Sequence, residues 1–179
     1  MSEIKMLTDE AFRLRQERKG GAANLMLAAL LLEATRMLDD GMDPAHVEAI
    51  AKKTFGSQRG FLILLEEAGI GNVYDFLEKM ADASDAQDII FLKYFNFFKP
   101  SKSLTKKKRD FEKAVDKAGF KWLKGGFAEK EPDDFMLADL IKKRFMAVSF
   151  ITAVELVEAE ILELADVEKL CKEVWGWQE

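Results

Sequence analysis

Cysteine is nearly missing from this chain: Cys171 is the one thiol in 179 residues. A single thiol can close no intramolecular disulfide and build no thiolate metal cluster, so the expected compartment is the reducing cytoplasm. Histidine is as scarce. With His46 alone, no zinc site can be assembled from His and Cys, and no Ser-His-Asp or Cys-His arrangement is present for nucleophilic catalysis. Long apolar runs are missing too. The longest, Leu25 to Leu32, falls far short of the roughly 20 residues that a membrane span requires. The first twenty residues, MSEIKMLTDEAFRLRQERKG, lack the apolar stretch of a secretory signal. A net charge of −5 gives no broad basic footprint for nucleic acid. No segment sustains the period-two alternation of a strand. No Gly-x-Gly-x-x-Gly turn joins a strand to a helix, so no helix N-terminus is prepared for a dinucleotide pyrophosphate.

What is present is repetition. Asn24 to Gly56 reads NLMLAALLLEATRMLDDGMDPAHVEAIAKKTFG, and Phe145 to Gly176 returns as FMAVSFITAVELVEAEILELADVEKLCKEVWG. Ala34 falls on Ala153 at an offset of 119, and Val47 falls on Val167 at 120, so one extra residue near Ile161 and Leu162 accounts for the difference. Two copies of one structural unit are expected to bury the same face. Apolar residues make up 49% of the chain and charged residues 33%, an ordinary globular balance with enough length for one domain or two small units sharing a core.

Helical spacing prevails throughout. Leu27, Leu30, Leu31, Ala34, Met37 and Leu38 recur at three- and four-residue intervals, an apolar stripe expected to face inward. Their counterparts are Met146, Ser149, Phe150, Ala153, Leu156 and Val157, and the two stripes are expected to pack on each other. Gly41 supplies a helix stop, and Asp43-Pro44 an N-cap and first helical residue for a helix through Thr54. After the loop Gly56 to Gly60 comes apolar Phe61 to Leu65, then a turn bracketed by Gly69 and Gly71, then a short helix from Val73 to Ala81. Phe91 to Phe98 forms an aromatic-rich helix stopped by Pro100. Thr105 to Ala118 forms a basic amphipathic helix with Phe111, Val115 and Ala118 on one face. The second repeat's helix opens near Asp133 or Asp134. The resulting architecture is all-α, two related helical units packed as a pseudo-symmetric bundle. It divides into a peripheral helical segment at 1–19, a first unit at 20–81, a connecting segment at 82–132 and a truncated second unit at 133–179.

Laid out in this way, the chain resembles the C-terminal helical domain of 3-hydroxyacyl-CoA dehydrogenases, in the two-copy form of the multifunctional fatty-acid β-oxidation proteins. The motif residues are Gly20-Gly21-Ala22-Ala23-Asn24-Leu25, Glu33-Ala34, Asp40-Gly41, Gly56, Gly60, Leu64-Leu65-Glu66 and Gly69, and in the second copy Arg144, Ala153, Ile161 and Gly176. The departures are specific. Leu25 replaces the arginine that follows the family's asparagine, Thr152 replaces the second copy's glutamate, and Gln58 and Phe61 replace the two turn prolines. The family's nucleotide-binding half and its catalytic His-Glu pair have no counterpart in these residues. The resemblance implies a protein that does not transfer hydride by itself, with no cofactor in this chain and NAD supplied only through a separate domain or subunit. It implies acyl-CoA binding, or partnership with a separate Rossmann-type subunit in fatty-acid metabolism. The competing reading is a helical scaffold or homodimerisation module that has lost ligand binding.

Few residues offer chemistry, and each has a plainer role. Asn24 matches the family asparagine that orients the substrate's oxygen, a task suited to an amide that both donates and accepts. With no histidine partner in the chain, helix capping is the simpler reading. His46, near the start of its helix without a second histidine or a cysteine beside it, reads as a solvent-exposed surface residue. Lys106, Lys107 and Arg109, with Lys108 between them, are suited to the phosphates of CoA, although a solvated helix face beside Asp110 and Glu112 needs no ligand. The Phe91 to Phe98 segment reads as core before acyl-chain groove, and Cys171 as a small buried apolar residue.

Overall fold

A computed structural model describes residues 24–83, 98–114, 130–158, 162–167 and 169. Helix α1 spans 24–39, α2 Pro44–Phe55, α3 Phe61–Ala68, α4 Ile70–Ala83, α5 Lys102–Lys113 and α6 Phe135–Glu158, with a short helical turn at 164–167. The fold is all-α, and no strand occurs among the described residues.

Local chemistry sets the helix ends. Gly41 adopts φ 84°, and Met42 and Gly41 return their amides to Met37 and Leu38 at 3.0 Å each. That is the Schellman pattern, which a left-handed glycine makes possible. Asp43 accepts from the Ala45 amide at 2.8 Å, Pro44 opens α2, and Gly56 closes it in the left-handed conformation. Asp134 accepts from the Met136 amide at 2.8 Å and starts α6.

Two further helices are started by carboxylates borrowed from elsewhere in the chain. Glu48, buried on α2, accepts from the amides of Gly60 and Leu62 at 2.8 and 2.9 Å. Burying a carboxylate costs several kcal/mol, and charge-assisted bonds at the positive end of α3 offset that cost. Gly60 makes room: a Cβ there would lie 2.4 Å from the Glu48 carboxyl carbon. Asp39, at the end of α1, likewise accepts from the amides of Lys102 and Ser103 at 2.8 and 2.7 Å. The Ser101 hydroxyl accepts from the Leu104 amide and donates to Thr35, whose own hydroxyl donates to the Leu32 carbonyl. Both buried hydroxyls are thereby satisfied.

The core is one continuous apolar cluster shared by all six helices. Phe145 of α6 meets Phe55 at 6.0 Å and Phe61 at 5.0 Å between ring centroids, and Phe55 and Phe61 meet edge-on at 5.1 Å. Such pairs contribute about 0.5–1.5 kcal/mol each beyond area burial. Helices α4 and α5 are joined by Lys108, 2.9 Å from Asp75 and above the Tyr74 ring.

Several expectations are corrected. The Met146–Val157 stripe does not face inward as a whole, because Met146 and Phe150 are exposed. The buried side of α6 carries Ile141, Phe145, Val148, Ser149, Thr152 and Leu156 instead. Shifted back by 119, the last five fall on Met26, Ala29, Leu30, Glu33 and Met37, all buried in α1. The repeat therefore does bury equivalent positions, in a register turned by about 100°, one residue of helix. Apolar residues surround α1, so its sequence alone could not show which stripe met α6. Gly71 lies inside α4, which starts at Ile70, and Gly69 alone makes the turn, with φ 87°. Helix α5 starts three residues before Thr105 and ends at Lys113, because Ser101 and Asp39 cap it earlier than the periodicity suggested. The segments at 1–19, 89–97 and 115–129, Cys171 and Gly176 lie outside the described residues; Phe98 is buried, as the core reading expects.

Substituting Gly60→Ala should destabilise the fold by about 2–3 kcal/mol through overpacking against a buried carboxylate. Urea unfolding followed by far-UV circular dichroism would measure it, and a loss under about 0.5 kcal/mol would deny the Glu48 contact its role.

Candidate functional site

An apolar cleft lies one helical turn from Asn24, a residue singled out by the sequence. A cleft of about 290 Å³ is lined by Leu27, Phe55, Phe61 and Leu64, with Ser57, Gln58 and Arg59 at its lip. Asn24 is exposed at the start of α1, one turn before Leu27 and on the same side of the helix. The α2–α3 loop shapes the opposite wall, where the Ser57 hydroxyl donates to the Arg59 carbonyl and Arg59 pairs with Glu67 at 2.7 Å. Arg59, Leu64 and Phe61 escaped the sequence reading as site residues. The signal available was the replacement of the family's turn prolines by Gln58 and Phe61, which changes this wall.

The basic run divides by exposure. Lys106 and Arg109 are exposed, one turn apart on α5, whereas Lys107 is half-buried and not free. Lys108 is committed to Asp75, Glu112 and the Tyr74 ring, and the hydrogen bond it donates to Asp75 leads the effects that raise its pKa. No described contact joins this run to Asn24. The N-terminus of α5 is instead fastened to the far end of α1 through Asp39. His46 is corrected from exposed to half-buried, with its Nδ1 buried and without a hydrogen-bond partner. Residues Val47 to Ala51 are all buried beside it, so α2 is more enclosed than its polar first turn suggested.

The most heavily charged cluster is structural. Arg144 of α6 donates through Nε to Glu33 at 2.6 Å and through a terminal nitrogen to Asp40 at 2.5 Å, with Glu33 lying 111 residues away. Burial opposes the Arg144 charge, but the bonds to Asp40 and Glu33 outweigh it and hold the guanidinium above its ordinary pKa. Burial pulls Arg36 below its ordinary value, against the attraction of Glu33 3.9 Å away. With arginine on both sides, the Glu33 oxygens are occupied by ion pairing.

The helix N-termini decide what an anion can do here. Those of α2, α3, α5 and α6 are already capped by Asp43, Glu48, Asp39 and Asp134. A pyrophosphate needs free amides and a positive helix end, and a carboxylate in that place repels it. Among the described residues, these four helix starts are therefore closed to a pyrophosphate. No cluster of three or more His, Cys, Asp or Glu suited to a metal ion occurs among the described residues. No described helix is long and apolar enough to cross a membrane.

Fold and site define an all-helical domain with an apolar cleft. The family model described as 3-hydroxyacyl-CoA dehydrogenase, C-terminal domain, matches residues 20–120, more than half of the chain, and the chain belongs to that family. The match runs past the first repeat unit to the end of α5 and beyond, so the kinship of α6 rests on the internal repeat. No curated protein and no solved structure shows a significant match.

Substituting Arg144→Met should cost about 2 kcal/mol, because it leaves the buried Glu33 carboxylate with Arg36 alone, 3.9 Å away. Arg109→Met, on an exposed face, should leave the melting temperature within about 1 °C of the parent. Equal effects in a thermal melt would contradict this division.

Proposed function

We propose that this chain contributes the acyl-CoA-facing half of a 3-hydroxyacyl-CoA dehydrogenase site, acting with a separately supplied nucleotide-binding unit in fatty-acid metabolism. The observation that carries the proposal is the family match over residues 20–120, at whose start Asn24 stands beside the apolar cleft. In this reading the cleft shields the acyl chain, whose burial supplies most of the binding free energy. The Asn24 amide donates to the substrate's oxygen. Lys106 and Arg109, with Lys107 beside them, meet phosphate through side-chain charge, since the helix N-termini are taken. Hydride chemistry belongs to the cofactor, and NAD enters only through the partner unit.

The test is a thermal melt of the full chain with acetoacetyl-CoA and with free CoA. A ligand that binds only the folded state stabilises it by about 2.7 kcal/mol at one hundred times its Kd. Acetoacetyl-CoA should raise the melting temperature by several degrees, and CoA by less. Gln58→Trp, which plugs the cleft from an exposed position, should abolish the difference. No shift with either compound at millimolar concentration would reject the acyl-CoA reading and leave the scaffold reading in its place.

A further inference from the structure

Helix α2, the start of α6 and the segment leading into α6 enclose a second cleft, which shares no lining residue with the first. Its volume is about 450 Å³, within the roughly 300–1,000 Å³ of small-molecule sites. Ile50, Pro132, Phe135 and Ala138 supply its apolar side. Ile50 is buried, whereas the Phe135 ring stands 78% exposed. A ligand lying along this side would take the ring out of water, which favours binding in proportion to the apolar area covered.

The charges around the cleft restrict what that ligand can be. Every carboxylate of the lining already has a cation of its own. Glu131 lies 2.8 Å from Lys53, Asp133 3.1 Å from Lys130, and Asp139 2.6 Å from Lys143. Lys53 is committed by the first of these pairs, which ties α2 to the segment before α6. Lys142, the other cation of the lining, is exposed and forms no ion pair among the described residues. With the pairs cancelled, one positive charge is left beside an apolar surface. The Thr54 hydroxyl also lines the cleft and can donate to an anion. A cationic ligand would meet repulsion here, and a neutral one would desolvate the ammonium without pairing it. A diphosphate would bring more negative charge than one lysine balances.

We propose that this cleft binds a singly charged amphiphile, a carboxylate on an apolar chain of about eight carbons, whose size suits a cleft of this volume. The carboxylate pairs with Lys142 and accepts from Thr54, and the chain runs along Ile50, Ala138 and Phe135. Such a ligand touches α2 and α6 together and so strengthens their packing. The inference does not depend on acyl-CoA binding in the first cleft.

Isothermal titration calorimetry of the full chain with octanoate, octanol and octylamine at neutral pH tests it. Octanoate should bind about tenfold more tightly than octanol, the gain of a hydrogen bond to a charged group, and octylamine more weakly still. Lys142→Met should remove the octanoate advantage with unchanged helical circular dichroism, because the position is exposed, and Lys142→Arg should keep it. Gln58→Trp, which plugs the first cleft, should leave octanoate binding as it is. No octanoate binding at millimolar concentration, an equal affinity for octanol, or an advantage that survives Lys142→Met would overturn the proposal. Loss of octanoate binding in Gln58→Trp would overturn it too, by placing the acid in the first cleft.

Discussion

The guanidinium of Arg144 ties the end of the chain to its beginning. It reaches across 111 residues to Glu33 and on to Asp40, and it adjoins the Phe145, Phe55 and Phe61 cluster in sequence. Apolar contacts hold α6 in the core but are tolerant of small rotations, since packing alone fits many neighbouring registers. A partly buried ion pair is less forgiving, because a turn of α6 by one residue would leave the buried Glu33 carboxylate only Arg36, 3.9 Å away. The pairing therefore selects one register from several that burial would accept.

Two departures from the family pattern fall on the positions that the repeat relates to this pair. Arg144 corresponds to Leu25 and Glu33 to Thr152 at the repeat offset of 119. The repeat relation sends the Arg144–Glu33 contact onto Leu25 and Thr152, so exact repeat symmetry would set these two positions against each other. Both positions are buried, and Thr152 turns its hydroxyl back to the Val148 carbonyl. Loss of either charge alone would strand the other, whereas loss of both is close to neutral. Carboxylates have a similar double role elsewhere. Asp39 and Glu48 start helices that their own segments do not contain, and in doing so they occupy the amides of those helix ends.

The features legible in the sequence were those set by short-range chemistry. Asp43-Pro44, Gly41, Gly56 and the Asp133-Asp134 start of α6 mark helix ends that the backbone obeys, and the helical period identified the fold class. Features that depend on partners distant in sequence were not legible. The start of α5 moved because Asp39, 63 residues earlier, supplies its cap. The inward stripe of α6 was misassigned because α1 is buried on both sides and offered no contrast. The cleft was missed because Leu27, Phe55 and Leu64 read as ordinary core until the α2–α3 loop opens a gap among them. Asn24 was legible only through the family motif, since its spacing fits a cap as well as a ligand.

The repeat relation between the two halves is tested most directly by rebuilding its missing ion pair in a double-mutant cycle of Leu25→Arg and Thr152→Glu, with stability read from urea unfolding. Each single change should be strongly destabilising. The double variant should be more stable than the sum of the two by at least about 1.5 kcal/mol, the coupling of a buried pair in contact. Additive losses would place the two positions apart and contradict the pseudo-symmetric packing of α1 on α6.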